Sequence, residues 1–178
     1  PPSATPVASA DAAPPPAPLD LGPPPVLAGG GAKSVKSSSG LVVSVDVEAS
    51  RAGARILEAG GNAVDAAIAV AFVLAVTHPS AGNIGGGGFM LVRPKGGPTR
   101  AIDYRETAPG SLPREAFDTM IAQDGIGPMS VGVPGTVRGL SLAHQKYGKL
   151  AWPKLVEPAK LLAERGHRVR PREAQTIG

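Results

Sequence analysis

The residues best suited to chemistry in this chain stand together at Asp103-Tyr104-Arg105-Glu106, directly after a valine- and isoleucine-containing stretch. Arg105 is the candidate binding residue. Its guanidinium is a rigid planar fork whose N–H groups match the two oxygens of a carboxylate. The same spacing also suits a structural role, in which Arg105 pairs with Asp103 or Glu106 and pins the end of a strand. Residue types and spacing alone leave both readings open.

Other reactive groups point to less. Cysteine is absent, which excludes disulfides, thiolate metal sites and cysteine nucleophiles within the sequence. His78, His144 and His167 have neither metal-ligand spacing nor a carboxylate at a helical interval, so each is read as structural or exposed. No metal and no cofactor is expected. Gly85 to Gly88 resembles an anion-binding loop, yet a phosphate loop ends in Gly-Lys-Ser/Thr on a helix. Here Phe89-Met90-Leu91-Val92 follows. The glycines are read instead as allowing positive φ angles and close backbone approach under the neighbouring helix. Arg165, His167, Arg168, Arg170 and Arg172 form a late basic cluster. It lacks interleaved aromatic or glycine-rich binding motifs, so a solvated face or a contact to acidic sequence is expected rather than nucleic acid.

The elements that must hold Arg105 follow from composition and periodicity. Residues 1–40 contain ten of the twenty prolines and no aromatic residue. They are expected to form a disordered Pro/Ala/Gly/Ser-rich tether, leaving 41–178 as the folded part. Three Phe, two Tyr and one Trp mean that its core relies on closely packed Ala, Val, Leu and Ile. The formal charge of +4 is the same with the tether removed, since Lys33 and Lys36 offset Asp11 and Asp20.

Leu41–Val47 reads as a strand and Ala49–Ala59 as a helix stopped by Gly60-Gly61. Asn62 is placed to cap a second helix, and Asp65 meets that helix's unpaired N–H groups, which makes it a capping rather than a catalytic residue. The apolar run Ala63–Val76 has fourteen residues, short of the roughly twenty that cross a bilayer. It is expected to be a buried helix ended by Pro79, with no membrane span. Phe89–Arg93 and Thr99–Tyr104 form a hairpin across Pro94–Pro98, with the first strand suited to a buried position. Leu112–Met120 is expected to be a short helix and Gly125–Pro134 a loop. Gly135–Tyr147 and Trp152–Arg165 are helices, with Pro158 kinking the latter or starting a new one.

Taken in order, GGNAVDAAIAV, THP-x-AGN-x-GGGGF, AIDYRETAP and the later VGVPGTVRGLSLAHQKYGKLAWPKLVEPAKLLAERG resemble the γ-glutamyltransferase (glutathione hydrolase) family. The likeness covers about 41–172. It implies an α/β (α+β) fold, part of the four-layer αββα sandwich of N-terminal nucleophile hydrolases, incomplete without the remainder of the heavy chain and the light chain. It implies the activity as well: cleavage of the γ-glutamyl amide of glutathione and transfer to water, amino acids or peptides through a threonine ester. Within that family the arginine of the Asp-aromatic-Arg-Glu cluster binds the substrate's α-carboxylate, which assigns that role to Arg105; Tyr104 replaces the common phenylalanine.

The resemblance also says what is missing. The family's nucleophile is the N-terminal threonine of a light chain released by self-cleavage, with its own amino group as base. Thr77, Thr99, Thr107, Thr119, Thr136 and Thr176 are internal. No catalytic residue is therefore expected in this chain, which alone should be inactive. Its implied partners are glutathione and other γ-glutamyl compounds, and the heavy- and light-chain parts of the same precursor. A truncated non-catalytic homologue, or a relative acting on poly-γ-glutamate or β-lactam side chains, would share the scaffold. The tether suggests export to the periplasm or exterior, although no signal peptide is visible.

Overall fold

A computed structural model describes residues 36–113, 115–116 and 130–177. Most of the expected tether and most of the expected helix Leu112–Met120 lie outside these residues, as does the first half of the expected loop Gly125–Pro134. The elements run α1 (Val47–Glu58), α2 (Ala63–Thr77), β1 (Phe89–Val92), β2 (Arg100–Asp103), α3 (Thr136–Tyr147), α4 (Trp152–Arg165) and α5 (Pro171–Ile177).

The all-apolar helix is the centre of the fold. Val64, Ala66, Ile68, Ala69, Phe72 and Val73 of α2 are buried, and α1, α3 and α4 all pack on it. Small side chains at Ala49, Ala52, Ala66 and Ala69 let α1 and α2 approach closely. Phe72 meets Trp152 of α4 edge-on with ring centroids 5.5 Å apart, and His144 of α3 lies 5.4 Å from the same indole. The aromatic residues are few, but this cluster places one at the junction of three helices.

Both expected helix boundaries are realised by backbone chemistry. At the end of α1, Gly60 takes φ 86°, and Gly60 N–H and Gly61 N–H donate to Leu57 O and Ile56 O, satisfying carbonyls the helix leaves unpaired. At the start of α2, Asn62 Oδ1 accepts from Val64 and Asp65 N–H while Asp65 accepts from Asn62 N–H, forming a capping box. The structure extends this beyond a local cap. Asp65 is fully buried and also accepts from Lys149 N–H at 3.0 Å and Leu150 N–H at 3.3 Å. Asn62 Nδ2 donates to Tyr147 O at 2.6 Å. One helix N-terminus thereby fixes the α3–α4 connection.

Several expectations are corrected. Leu41–Val47 forms no strand, because no neighbouring backbone pairs with it among the described residues, the chain bends at 45–46 and Val47 already opens α1; Val43 is 80% exposed. Its last residues instead serve α1, where Asp46 accepts from Glu48 and Ala49 N–H as N-cap. β1 is not buried on both faces: Phe89 and Leu91 point outward, 67% and 75% exposed. α4 runs on through Pro158 without a second helix starting there. The missing N–H of Pro158 only leaves the Lys154 carbonyl without its helical donor.

His78 is not isolated either. Its Nδ1 lies 2.7 Å from Glu173 Oε1, on a helix that the sequence reading missed. Arg170 joins Glu173 at 3.1 Å and Asp46 at 3.4 Å, and donates to Val45 O. The basic cluster is thus partly consumed inside the fold. The hydrogen bond with His78 chiefly holds the Glu173 carboxyl below its ordinary 4.5, against the opposing effect of burial, with the charges of His78 and Arg170 assisting.

Two outcomes follow for the intact protein. Asp65→Ala strands buried N–H donors and should cost at least about 1–3 kcal/mol, read as a lower denaturant midpoint. Since the Glu173 carboxyl is lowered in the folded state, its contribution is present above 4.5 and is lost as pH falls through its folded value. Hydrogen exchange across 171–177, corrected for intrinsic rate, should accelerate in that acid range, whereas Glu173→Gln should show fast exchange at neutral pH too. A wild-type profile flat through the acid range would contradict this.

Candidate functional site

Arg105 leaves the sheet one residue beyond the last inter-strand pair. β1 and β2 are antiparallel, with Phe89 opposite Asp103 and Val92 opposite Arg100. The ladder continues one pair further, since Tyr104 N–H donates to Gly88 O at 3.0 Å and Gly88 N–H to Tyr104 O at 3.3 Å. On the other side of Arg105, Thr107 and Val133 exchange backbone hydrogen bonds of 3.4 and 2.8 Å. The arginine is therefore carried on a short backbone segment held at both ends.

Close packing holds the segment from above and below. The Tyr104 ring lies flat against α3, where a Cβ on Gly139 would stand 2.2 Å from its Cγ. The Gly-rich turn approaches from the opposite side: a Cβ on Gly87 would lie 2.6 Å from Tyr104 O and 2.7 Å from Glu106 N. Neither position has room for a side chain. The turn therefore serves close approach, as expected, and it meets both the Tyr104–Glu106 backbone and, through Gly86 O, the start of α3. Among the described residues, none of Gly85–Gly88 takes a positive φ, which corrects that part of the reading. Burial raises the Tyr104 phenol above its ordinary 10.0, and its hydroxyl donates to Phe89 O at 3.4 Å.

The side chain itself is accessible. Arg105 is 60% exposed, with Nη1 3.0 Å from Glu106 Oε2, and its backbone N–H donates to Asp103 Oδ1 at 2.9 Å. Both acidic neighbours thus touch Arg105, as the strand-pinning alternative expects. An exposed ion pair of this kind is worth about 0–1 kcal/mol. Its cost does not prevent the fork from exchanging Glu106 for a stronger carboxylate partner.

Chemically, the arrangement can bind an anion and can do little else. Thr77 Oγ1 donates to Val73 O, and Thr136 Oγ1 donates to Asn83 Oδ1. Ser80 reaches His78 at Nδ1, the nitrogen already engaged by Glu173, and its hydroxyl donates to Glu173 Oε2 at 3.4 Å. No cluster of metal-ligating side chains occurs among the described residues, nor is any helix there long and apolar enough to cross a membrane.

Residues 49–178 match the family model described as gamma-glutamyltranspeptidase. The chain belongs to the γ-glutamyltranspeptidase family. It is 51% identical over 137 residues to a protein named glutathione hydrolase proenzyme from Escherichia coli (strain K12), covering 74% of this chain and 24% of that protein. A Pseudomonas aeruginosa protein of the same name is 46% identical over 145 residues, covering 76% and 25%. The γ-glutamyltranspeptidase from Pseudomonas nitroreducens complexed with L-DON matches in structure with a TM-score of 0.73 at 42% identity, covering 80% of this chain and 44% of that one. The chain spans about a quarter of the length of the curated relatives it matches. Its helices and antiparallel hairpin are the corresponding part of the γ-glutamyltranspeptidase fold, an N-terminal nucleophile hydrolase fold, which bears out the expected class.

Two features of the site escaped sequence reading. Asn83 binds both the Gly86 amide and Thr136; the signal was an asparagine just ahead of a glycine run, a common way of closing a turn. Glu173 lies 95 residues from His78, with no local pattern to reveal the contact.

The packing between Tyr104 and α3 is testable. Gly139→Ala in a helix would ordinarily stabilise by about 0.5–1 kcal/mol. Here it should destabilise by about 1–3 kcal/mol through overpacking. Paired with Tyr104→Ala, the thermal-unfolding penalty should be much less than additive; full additivity would mean that the two groups do not meet.

Proposed function

We propose that this chain is the N-terminal portion of the heavy chain of a glutathione hydrolase, and that Arg105 clamps the α-carboxylate of the γ-glutamyl group. The reading rests on one observation. An exposed guanidinium projects from a backbone segment pinned by the Gly88–Tyr104 and Thr107–Val133 hydrogen bonds, with the half-buried Glu106 carboxylate as its neighbour.

Holding the α-carboxylate fixes the far end of the substrate, so that its γ-carbonyl is presented to a nucleophile at a constant distance. That converts an encounter into a positioned reaction. The nucleophile is proposed to be the N-terminal threonine of the light chain of the same precursor, with γ-glutamyl ester formation and transfer to water, amino acids or peptides. Glutathione is favoured as substrate over poly-γ-glutamate or a β-lactam side chain because relatives at 51% and 46% identity carry its name. An exported location, in periplasm or exterior, is part of the same proposal; it is supported by the Pro/Ala-rich composition of 1–40 and tested by cell fractionation.

Arg105→Lys keeps the charge and loses the fork. In the complete processed enzyme it should raise KM for glutathione by on the order of 10–100-fold, the equivalent of one lost charge-assisted pair. An unchanged KM would return Arg105 to a purely structural role.

A further inference from the structure

Arg105 is only as well placed as the segment that carries it, and one side chain outside that segment holds its surroundings together. Asn83 Oδ1 accepts from Gly86 N–H at 3.0 Å and from Thr136 Oγ1–H at 2.6 Å, while its Nδ2 donates to Ala81 O at 3.2 Å. Gly86 O in turn accepts from Gly135 N–H at 2.8 Å and Thr136 N–H at 3.0 Å. The asparagine side chain thus closes a ring of hydrogen bonds between the Gly-rich turn and the first residues of α3.

Both bodies joined by that ring press on the arginine's backbone. A Cβ on Gly135 would stand 2.0 Å from Tyr104 O and 3.2 Å from Arg105 O, and one on Gly87 would stand 2.6 Å from Tyr104 O. The turn and the helix start form two jaws, bonded to each other, that both close on the Tyr104 carbonyl. α3 has no side-chain cap of its own at Gly135, so the Asn83–Thr136 and Gly86 contacts are what fix its beginning.

We propose that Asn83 is a positioning residue for substrate binding: through Gly86 and Thr136 it sets the spacing of the two jaws, and with it the direction in which Arg105 projects. The inference rests on the carboxylate-clamp reading of Arg105. A role confined to stability would lower the melting temperature and leave substrate affinity alone. A positioning role acts on affinity through Arg105 and vanishes when Arg105 is gone.

The experiment is a double-mutant cycle in the complete processed enzyme, with γ-glutamyl anilide as substrate. Asn83→Ala should raise KM about tenfold, the worth of about one hydrogen bond, with kcat changed less than about threefold on the same scale. Asn83→Asp, which keeps both acceptor contacts, should recover most of the loss. In an Arg105→Ala background, adding Asn83→Ala should move KM by less than about twofold, since coupled sites are non-additive. If Arg105→Ala raises KM while Asn83→Ala does not, or if the Asn83→Ala penalty persists undiminished without Arg105, the positioning role is overturned and the clamp stands. If Arg105→Ala leaves KM unchanged, the clamp reading fails and takes this inference with it. Should Asn83→Ala fail to fold, Thr136→Val replaces it, with Thr136→Ser as the variant that retains the hydroxyl.

Discussion

A buried carboxylate with no cationic partner among the described residues, Asp65, is the interaction on which the helical half of this structure depends. It accepts only backbone N–H groups: its own helix's cap residue, then Lys149 and Leu150 from the far end of the chain. A charge taken out of water is costly unless its lone pairs are filled. The helix start supplies a favourable dipole and the α3–α4 connection supplies the remaining donors. Without that connection Asp65 would lose the Lys149 and Leu150 donors that offset its burial, and α4 would lose the tie that holds its start near Phe72. The two halves of the helical layer are therefore conditional on each other.

From that anchor the order of consequences reaches Arg105, the residue proposed to bind substrate. α2 is the pillar, α3 docks on it, and Gly139 of α3 accepts the Tyr104 ring. Arg105 follows Tyr104 by one residue, so its position is inherited from packing decided some forty residues away in sequence. Specificity at such a site comes less from the arginine, a common surface residue, than from the absence of side chains at the positions pressed against its backbone.

Local signals were legible in the sequence wherever one residue type does one job. Gly60-Gly61, and Asn62 with Asp65, were readable as helix punctuation because caps are short-range chemistry. The hairpin was readable from its two prolines and Gly-Gly, and Arg105 from its fork and the cluster around it. What escaped was long-range. The valines of Leu41–Val47 have strand character but find no ladder partner, so propensity was overruled by neighbours. Asp65 and His78 look local in sequence, yet half of what each does is decided by Lys149, Leu150 and Glu173. The outward face of β1 was misjudged because an apolar run does not say which of its faces meets the core.

The hairpin turn between Val92 and Arg100 shows what this division of labour permits. Its residues are largely exposed, and Gly96 takes φ 73° at the reversal. The ladder is locked at the opposite end, where Gly88 and Tyr104 pair. A change of length or sequence at the tip is absorbed by a free-standing loop and does not travel down four pairs of strand residues to Arg105. Drift and insertion can concentrate there, while Arg105 at the other end of the same hairpin stays where it is.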